Sequence, residues 1–244
     1  MTTTIEKRTI TISLDPQDVP FEAYPTNGKE AWERLRIGNE RFAQGDLVGF
    51  LGNLAAEMNP EARMSLTASQ NPYAVVVTCA DSRVAPELIF DEGMGFLFVI
   101  RVAGNVMDKT ALGSIDYAVA HLKPCLLLIM GHQSCGAVKA ALDCHGSESA
   151  QDNIGSIVAK VLPSVDRAKR CCTHDTDPAQ ENVFASAREI VEGSRVVEDH
   201  LLDGSLTIMT AEYYLDSGLV VEVKGQPPPP EHRHHHLREH LQFY

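Results

Sequence analysis

Short uncharged runs alternate along this chain with longer segments in which apolar residues recur every three or four positions. Residues 73–78 (YAVVVT) and 125–130 (CLLLIM) are almost wholly apolar and follow a proline, which predicts two strands buried on both faces. Residues 96–101 (FLFVIR) predict a third strand. Residues 111–122 show the helical spacing instead, so a helix should precede the strand at 125–130.

Further helices and a closing hairpin complete the predicted order of elements. The clearest helix start is Asn59-Pro60, a capping residue followed by the proline that is favoured at the first helical position. The same reading of caps and spacing predicts helices over residues 28–44, 59–70, 86–91, 154–170 and 178–202, a helix directly after Cys135, and a hairpin made by 206–214 and 219–223.

This alternation of strands and helices predicts an α/β protein with a central, mostly parallel β-sheet, flanking helices and an added antiparallel C-terminal hairpin. Residues 1–27 are polar and interrupted by prolines, so we expect an N-terminal arm, with a short edge strand at 8–13. Residues 28–225 form the predicted α/β domain. Residues 226–244 form a Pro/His-rich tail, for which a solvated tail is favoured over weak metal binding.

Composition excludes several classes of function. The chain has 244 residues, 21 Lys and Arg against 33 Asp and Glu, and a formal net charge of −12, which argues against a nucleic-acid partner. No apolar run approaches the roughly 20 residues of a membrane span. The N-terminus shows no apolar signal region, and the 6 cysteines show no secreted spacing, so a reducing cytoplasm is expected.

Two strand ends carry the candidate chemistry. The strand at 73–78 runs into Cys79-Ala80-Asp81-Ser82-Arg83, and the strand at 125–130 runs into Gly131-His132-Gln133-Ser134-Cys135. If the two strands are parallel neighbours, their carboxyl ends lie roughly 5 Å apart at one edge of the sheet, where open α/β sheets carry their sites.

Cys79, His132 and Cys135 would then converge on one point. Two thiolates and an imidazole suit Zn²⁺, and three protein ligands leave a fourth position open, as in catalytic zinc sites. Taken singly, each residue has an ordinary explanation: a buried cysteine, a helix cap or, for Asp81 with Arg83, a surface ion pair. The combination favours a metal site.

The paired motifs, C-x-D-x-R followed by H-x-x-C, resemble the zinc-site signature of the β-class carbonic anhydrases. Residues 98–105 (FVIRVAGN) and the helix at 111–122 agree with this resemblance. It implies a zinc lyase that interconverts CO₂ and bicarbonate, in which zinc-bound hydroxide attacks CO₂. It also implies that the pair of Asp81 and Arg83 orients the nucleophile.

The resemblance is compatible with two forms of the zinc site. In some members of the family, the aspartate at the position of Asp81 becomes the fourth zinc ligand in an inactive resting form. Gln70, Phe98 and Tyr117 match substrate-pocket positions of the members with an open site, and Ala103 departs from them because they carry valine there. These matches favour an open zinc.

Other activities and partners also stay open at this stage. Enzymes that hydrolyse carbonyl sulfide or carbon disulfide resemble the same family, and a non-catalytic, zinc-stabilised assembly protein is a rival from another class. The resemblance implies a homodimer or a higher even oligomer, with the arm at 1–27 as a candidate dimer clasp.

Overall fold

The computed structural model describes residues 24–46, 59–144, 152–170 and 177–224. The predicted edge strand at 8–13, most of the N-terminal arm, the His-rich tail at 226–244, and Cys171 with Cys172 lie outside these residues. Within the described segments, no helix combines the length and the apolar character that crossing a bilayer requires.

A five-stranded sheet forms the centre of the described structure, with the strand order β2-β1-β3-β4-β5. All neighbouring strands are parallel except β4 and β5, which are antiparallel, so the predicted fold class is confirmed. The strands are β1 (Ala74–Thr78), β2 (Leu97–Arg101), β3 (Leu126–His132), β4 (Thr207–Tyr213) and β5 (Val220–Glu222).

Helices surround this sheet, and several start at side chains that accept a hydrogen bond from the first helical turn. Asn27, Asp108 and Asp177 cap their helices in this way. The helices are α1 (Gly28–Gln44), α2 (Pro60–Ser65), α3 (Pro86–Ile89), α4 (Lys109–Tyr117) with a π-helical turn (Ala118–Leu122), α5 (Gly136–Asp143), α6 (Asn153–Arg170), α7 (Pro178–Gly193) and α8 (Arg195–Leu202).

The core lies on both faces of the sheet. Val75 and Val77 of β1 point to the face covered by α4, α7 and α8, whereas Ala74 and Val76 point to the face covered by α1 and α3. Every residue of β1 and β3 is buried, as expected for central parallel strands. A third apolar cluster joins α5 and α6 to the segments that follow the carboxyl ends of β1 and β3.

Several predicted boundaries differ from the structure, and two of the differences are large. The helix predicted over 178–202 is two helices, because Ser194 is extended and its hydroxyl caps α8 through the amide of Val197. The helix predicted over 59–70 ends at Ser65; it buries none of its residues, so packing gives it no reason to continue. The predicted C-terminal hairpin is confirmed, because β4 and β5 pair antiparallel; β4 also pairs in parallel with β3.

Helix α1 lies directly against the backbone that follows α3. An added Cβ at Gly38 would lie 1.9 Å from the carbonyl oxygen of Phe90, so only glycine permits this approach. Partly buried ion pairs of Arg34 with Glu92 and of Arg41 with Asp91 join the same two segments.

The close approach at Gly38 predicts a measurable loss of stability. Gly38→Ala should lower the free energy of unfolding by about 1–3 kcal/mol, because the methyl group forces α1 away from Phe90. Gly113→Ala in α4 is the control: its Cβ would meet no atom within 4 Å, so it should raise the free energy of unfolding by about 0.4–1 kcal/mol. Urea unfolding measures both values, and equal values for the two variants would contradict the packing described.

Candidate metal centre

The two strands that lead into the motifs are neighbours in the sheet, as the predicted metal site requires. β1 and β3 pair in parallel with Thr78 opposite Met130, so their carboxyl ends lie at the same edge of the sheet. Cys79 follows β1 directly, His132 is the last residue of β3, and Cys135 directly precedes α5. The register therefore brings together three side chains from two distant parts of the sequence.

The ligand atoms of Cys79, His132 and Cys135 all lie within 4.8 Å of one another. The two sulfurs are 4.0 Å apart, and the three residues are 4%, 0% and 5% exposed. This is the spacing and the donor set of a zinc site with two cysteines and one histidine. The predicted convergence of these side chains is present in the fold.

His132 is oriented for metal binding by its own backbone. Its Nδ1 lies 2.9 Å from the carbonyl oxygen of Gln133, to which the protonated ring nitrogen donates. Nε2 then carries the lone pair, and it is buried without a hydrogen-bond partner among the described residues. A buried acceptor aimed at two sulfurs fits a soft divalent cation, so the residues present fit zinc.

The sulfurs of Cys79 and Cys135 shift each other's pKa through their contact. Their contact is the main cause that lowers the pKa of Cys79, and a further hydrogen bond from the Gly104 amide, 3.2 Å away, acts in the same direction. The same contact, together with burial, raises the pKa of Cys135. The pair thus favours one shared proton, and a divalent cation would compete with that proton for the same lone pairs.

Asp81 and Arg83 form the predicted pair beside this group. Nε of Arg83 donates to Oδ1 of Asp81 at 2.9 Å, and Nη2 donates to Oδ2 at 2.7 Å. The amide of Arg83 adds a third bond to Oδ1 at 3.0 Å. These bonds hold the pKa of the Asp81 carboxyl well below its usual range, chiefly through the guanidinium. Oδ2 of Asp81 lies 3.9 Å from Nε2 of His132.

Arg101 holds the backbone that carries Cys79 and Asp81. From the end of β2, its Nε donates to the carbonyl oxygen of Cys79 at 3.2 Å, and its Nη2 donates to that of Asp81 at 2.5 Å. The sequence did not predict these contacts of Arg101 or the bond from the Gly104 amide to Cys79, although residues 98–105 agreed with the resemblance. The missing information was the pairing of β2 with β1, which places Arg101 opposite Thr78.

The predicted pocket residues Gln70, Phe98 and Tyr117 stand on three separate segments of the chain. Phe98 and Tyr117 contact each other, with ring centroids 6.3 Å apart, and Tyr117 is 50% exposed. Phe98 precedes the end of β2 by three residues, roughly 10 Å along the strand. Gln70 is exposed in the segment between α2 and β1, and Ala103 begins the turn after β2. Their role in a pocket stays a prediction.

Comparison with known proteins agrees with the site. The model of the carbonic anhydrase family matches residues 74–220. Carbonic anhydrase 2 of Mycobacterium tuberculosis is 38% identical over 198 residues, which cover 80% of this chain and 93% of that protein.

Two solved β-carbonic anhydrases share the fold. The Coccomyxa enzyme in complex with acetazolamide is 27% identical with a TM-score of 0.57, covering 71% of this chain and 81% of that one. A tetrameric enzyme of Sordaria macrospora is 19% identical with a TM-score of 0.59, covering 76% and 97%. The family match, the identity to the mycobacterial protein and the shared fold together show that the chain belongs to the β class of the carbonic anhydrases, which are zinc enzymes.

Proposed function

We propose that this chain catalyses the reversible hydration of CO₂ to bicarbonate and a proton at the edge of the sheet formed by β1 and β3. The observation that carries the proposal is the pair of Asp81 and Arg83 beside the two cysteines and His132, with Oδ2 of Asp81 3.9 Å from Nε2 of His132. A purely structural zinc site has no need of an oriented carboxylate at this place.

Cys79, His132 and Cys135 would hold zinc, which lowers the pKa of a water molecule at its open position and so supplies the nucleophile at neutral pH. The residues of the chain orient that water. The ionised carboxylate of Asp81 would accept a hydrogen bond from that water and so orient it toward the carbon of CO₂. Arg83 keeps Asp81 ionised and fixes its rotamer through two parallel N–H donors.

The same contacts support an open site. As a fourth zinc ligand, Asp81 would have to turn a carboxylate oxygen away from Arg83. Both oxygens are engaged by the guanidinium, and Oδ1 also accepts from the backbone amide. Gln70, Phe98 and Tyr117 remain the proposed substrate-binding residues, on the resemblance stated above.

Replacing Asp81 tests the orienting role. Asp81→Asn should keep one zinc per chain, since no ligand changes, and should lower kcat for CO₂ hydration about 100-fold, because the amide can donate to the water instead of accepting from it. Stopped-flow hydration and metal analysis measure the two quantities.

Two matched variants complete this test. Asp216→Asn removes an acid that accepts a hydrogen bond from Gln133 at the same edge of the sheet, and it should keep its rate. Cys79→Ser should lose zinc. A fully active Asp81→Asn protein would refute the orienting role, whereas an unaltered protein that holds zinc but does not hydrate CO₂ would favour a zinc-stabilised assembly protein.

The identity of the electrophile is a separate prediction. CO₂, carbonyl sulfide and carbon disulfide are linear triatomic molecules that the same nucleophile can attack. We expect kcat/KM for CO₂ to exceed the other two values by orders of magnitude, measured on one preparation with known zinc content. A larger kcat/KM for carbonyl sulfide or carbon disulfide would reassign the substrate and leave the site unchanged.

We also propose a homodimer or a higher even oligomer that acts in a reducing cytoplasm. β2 is an outer strand whose Leu97, Phe98 and Val99 are only partly buried, and an apolar outer strand of this kind favours pairing with another chain. The enzyme of Sordaria macrospora with the same fold is tetrameric. Thiol ligands that must stay reduced agree with the proposed compartment.

Light scattering tests the oligomeric state. The molar mass in solution should be an even multiple of the 26.7 kDa chain at micromolar concentration. A mass of one chain that persists as the concentration rises would rule out the proposed assembly.

A further inference from the structure

The turn that follows β2 has an unusual backbone. Gly104 and the next residue, Asn105, both lie in the left-handed region, with φ of 66° and 46°. An added Cβ at Gly104 would lie 2.8 Å from the Cβ of Ala137 on α5, so glycine is required by its conformation and by its neighbour. In this conformation the amide of Gly104 donates to the sulfur of Cys79 at 3.2 Å.

Two side chains of helix α7 hold this turn by binding the backbone carbonyls of the turn. Asn182 donates from Nδ2 to the carbonyl oxygen of Gly104 at 2.7 Å. Ser186, one helical turn further along, accepts from Nδ2 of Asn105 at 3.0 Å. Its one hydroxyl proton can go to the carbonyl oxygen of Asn105 at 2.8 Å, with that of Asn182 at 3.0 Å as the competing acceptor. Both carbonyls of the left-handed turn are therefore bound by one face of α7.

These side chains form a buried network. Asn105, Asn182 and Ser186 are 2%, 3% and 3% exposed, so water does not compete for their hydrogen bonds. The two held carbonyls belong to the peptides that follow the Gly104 N–H, so they restrain the backbone torsions of Gly104 and limit the movement that would turn this N–H away from the sulfur. None of these three side chains touches Cys79 itself, so any effect on the sulfur passes through the backbone of Gly104.

We propose that Asn182 and Ser186 are positioning residues for the metal centre: through the Gly104 amide, they set how much charge the Cys79 thiolate passes to the metal. Two thiolates cancel the charge of Zn²⁺, which weakens its ability to acidify water. A hydrogen bond that withdraws electron density from one sulfur offsets part of that loss. The inference rests on the zinc site proposed above.

The first test uses the unaltered chain loaded with ¹¹³Cd. Scalar coupling from the metal to the β protons of Cys79 and Cys135 reports the ligands, and coupling to the amide proton of Gly104 reports the hydrogen bond through the sulfur. We expect both. Cysteine couplings without a Gly104 coupling would overturn this inference alone, whereas absence of cysteine couplings would overturn the metal site and with it the proposed function.

The second test separates tuning from stability. Asn182→Ala removes the hydrogen bond to the carbonyl oxygen of Gly104. Asn39→Ala is the matched control, because Asn39 is 2% exposed and donates to the carbonyls of Ile89 and Gly218, away from the metal ligands. Both variants should lower the melting temperature. Only Asn182→Ala should shift the thiolate-to-cobalt charge-transfer band of the Co²⁺ protein to longer wavelength and lower kcat by roughly 10-fold or more.

An unchanged band and an unchanged kcat in Asn182→Ala would show that the network serves stability only. Should Asn182→Ala fail to fold, Ser186→Ala takes its place in the same comparison, with a smaller shift expected because Asn182 still holds the Gly104 carbonyl. The ¹¹³Cd coupling needs no variant and tests the hydrogen bond of Gly104 to the sulfur independently.

Discussion

The parallel pairing of β1 with β3 is the constraint on which the site depends. With Thr78 opposite Met130, the chain reaches Cys79 on one strand and His132 on the other at the same edge of the sheet. A shift of β3 by one residue would move His132 by about 3.3 Å, which is comparable to the 4.8 Å within which all three ligand atoms lie. The complete burial of both strands makes such a shift costly, so the core fixes the geometry of the metal ligands.

The second requirement of the site is electrostatic. Two thiolates beside one divalent ion leave little net positive charge, and the fold surrounds both sulfurs with backbone amides. The Gly104 amide donates to Cys79, while Cys135 directly precedes α5, where the backbone amides of Val138 and Ala137 act to lower its pKa. These donors belong to segments held by α5 and α7, so their direction does not depend on the metal.

The strands and the convergence of Cys79, His132 and Cys135 could be predicted from the sequence, because each motif follows a short apolar run after a proline, which favours a buried strand. The contacts that support the ligands could not, because they depend on register. Arg101 reaches Cys79 only because β2 pairs with β1, and Asn182 reaches the turn at Gly104 across 78 residues of sequence, 182 minus 104. The helix break at Ser194 was missed because the apolar spacing continues on both sides of it.

Burial divides the site into two parts with different physical roles. The metal ligands are almost fully buried, whereas the side chain of Arg83 is 52% exposed and that of Asp81 is 18% exposed. An ion pair this open to water adds little to the stability of the fold, since solvent screens it. Three hydrogen bonds nevertheless fix its geometry, and the carboxylate faces the buried group. The oriented acid beside the buried group therefore adds little to stability, and its position supports the proposed role of Asp81 in orienting a reacting water.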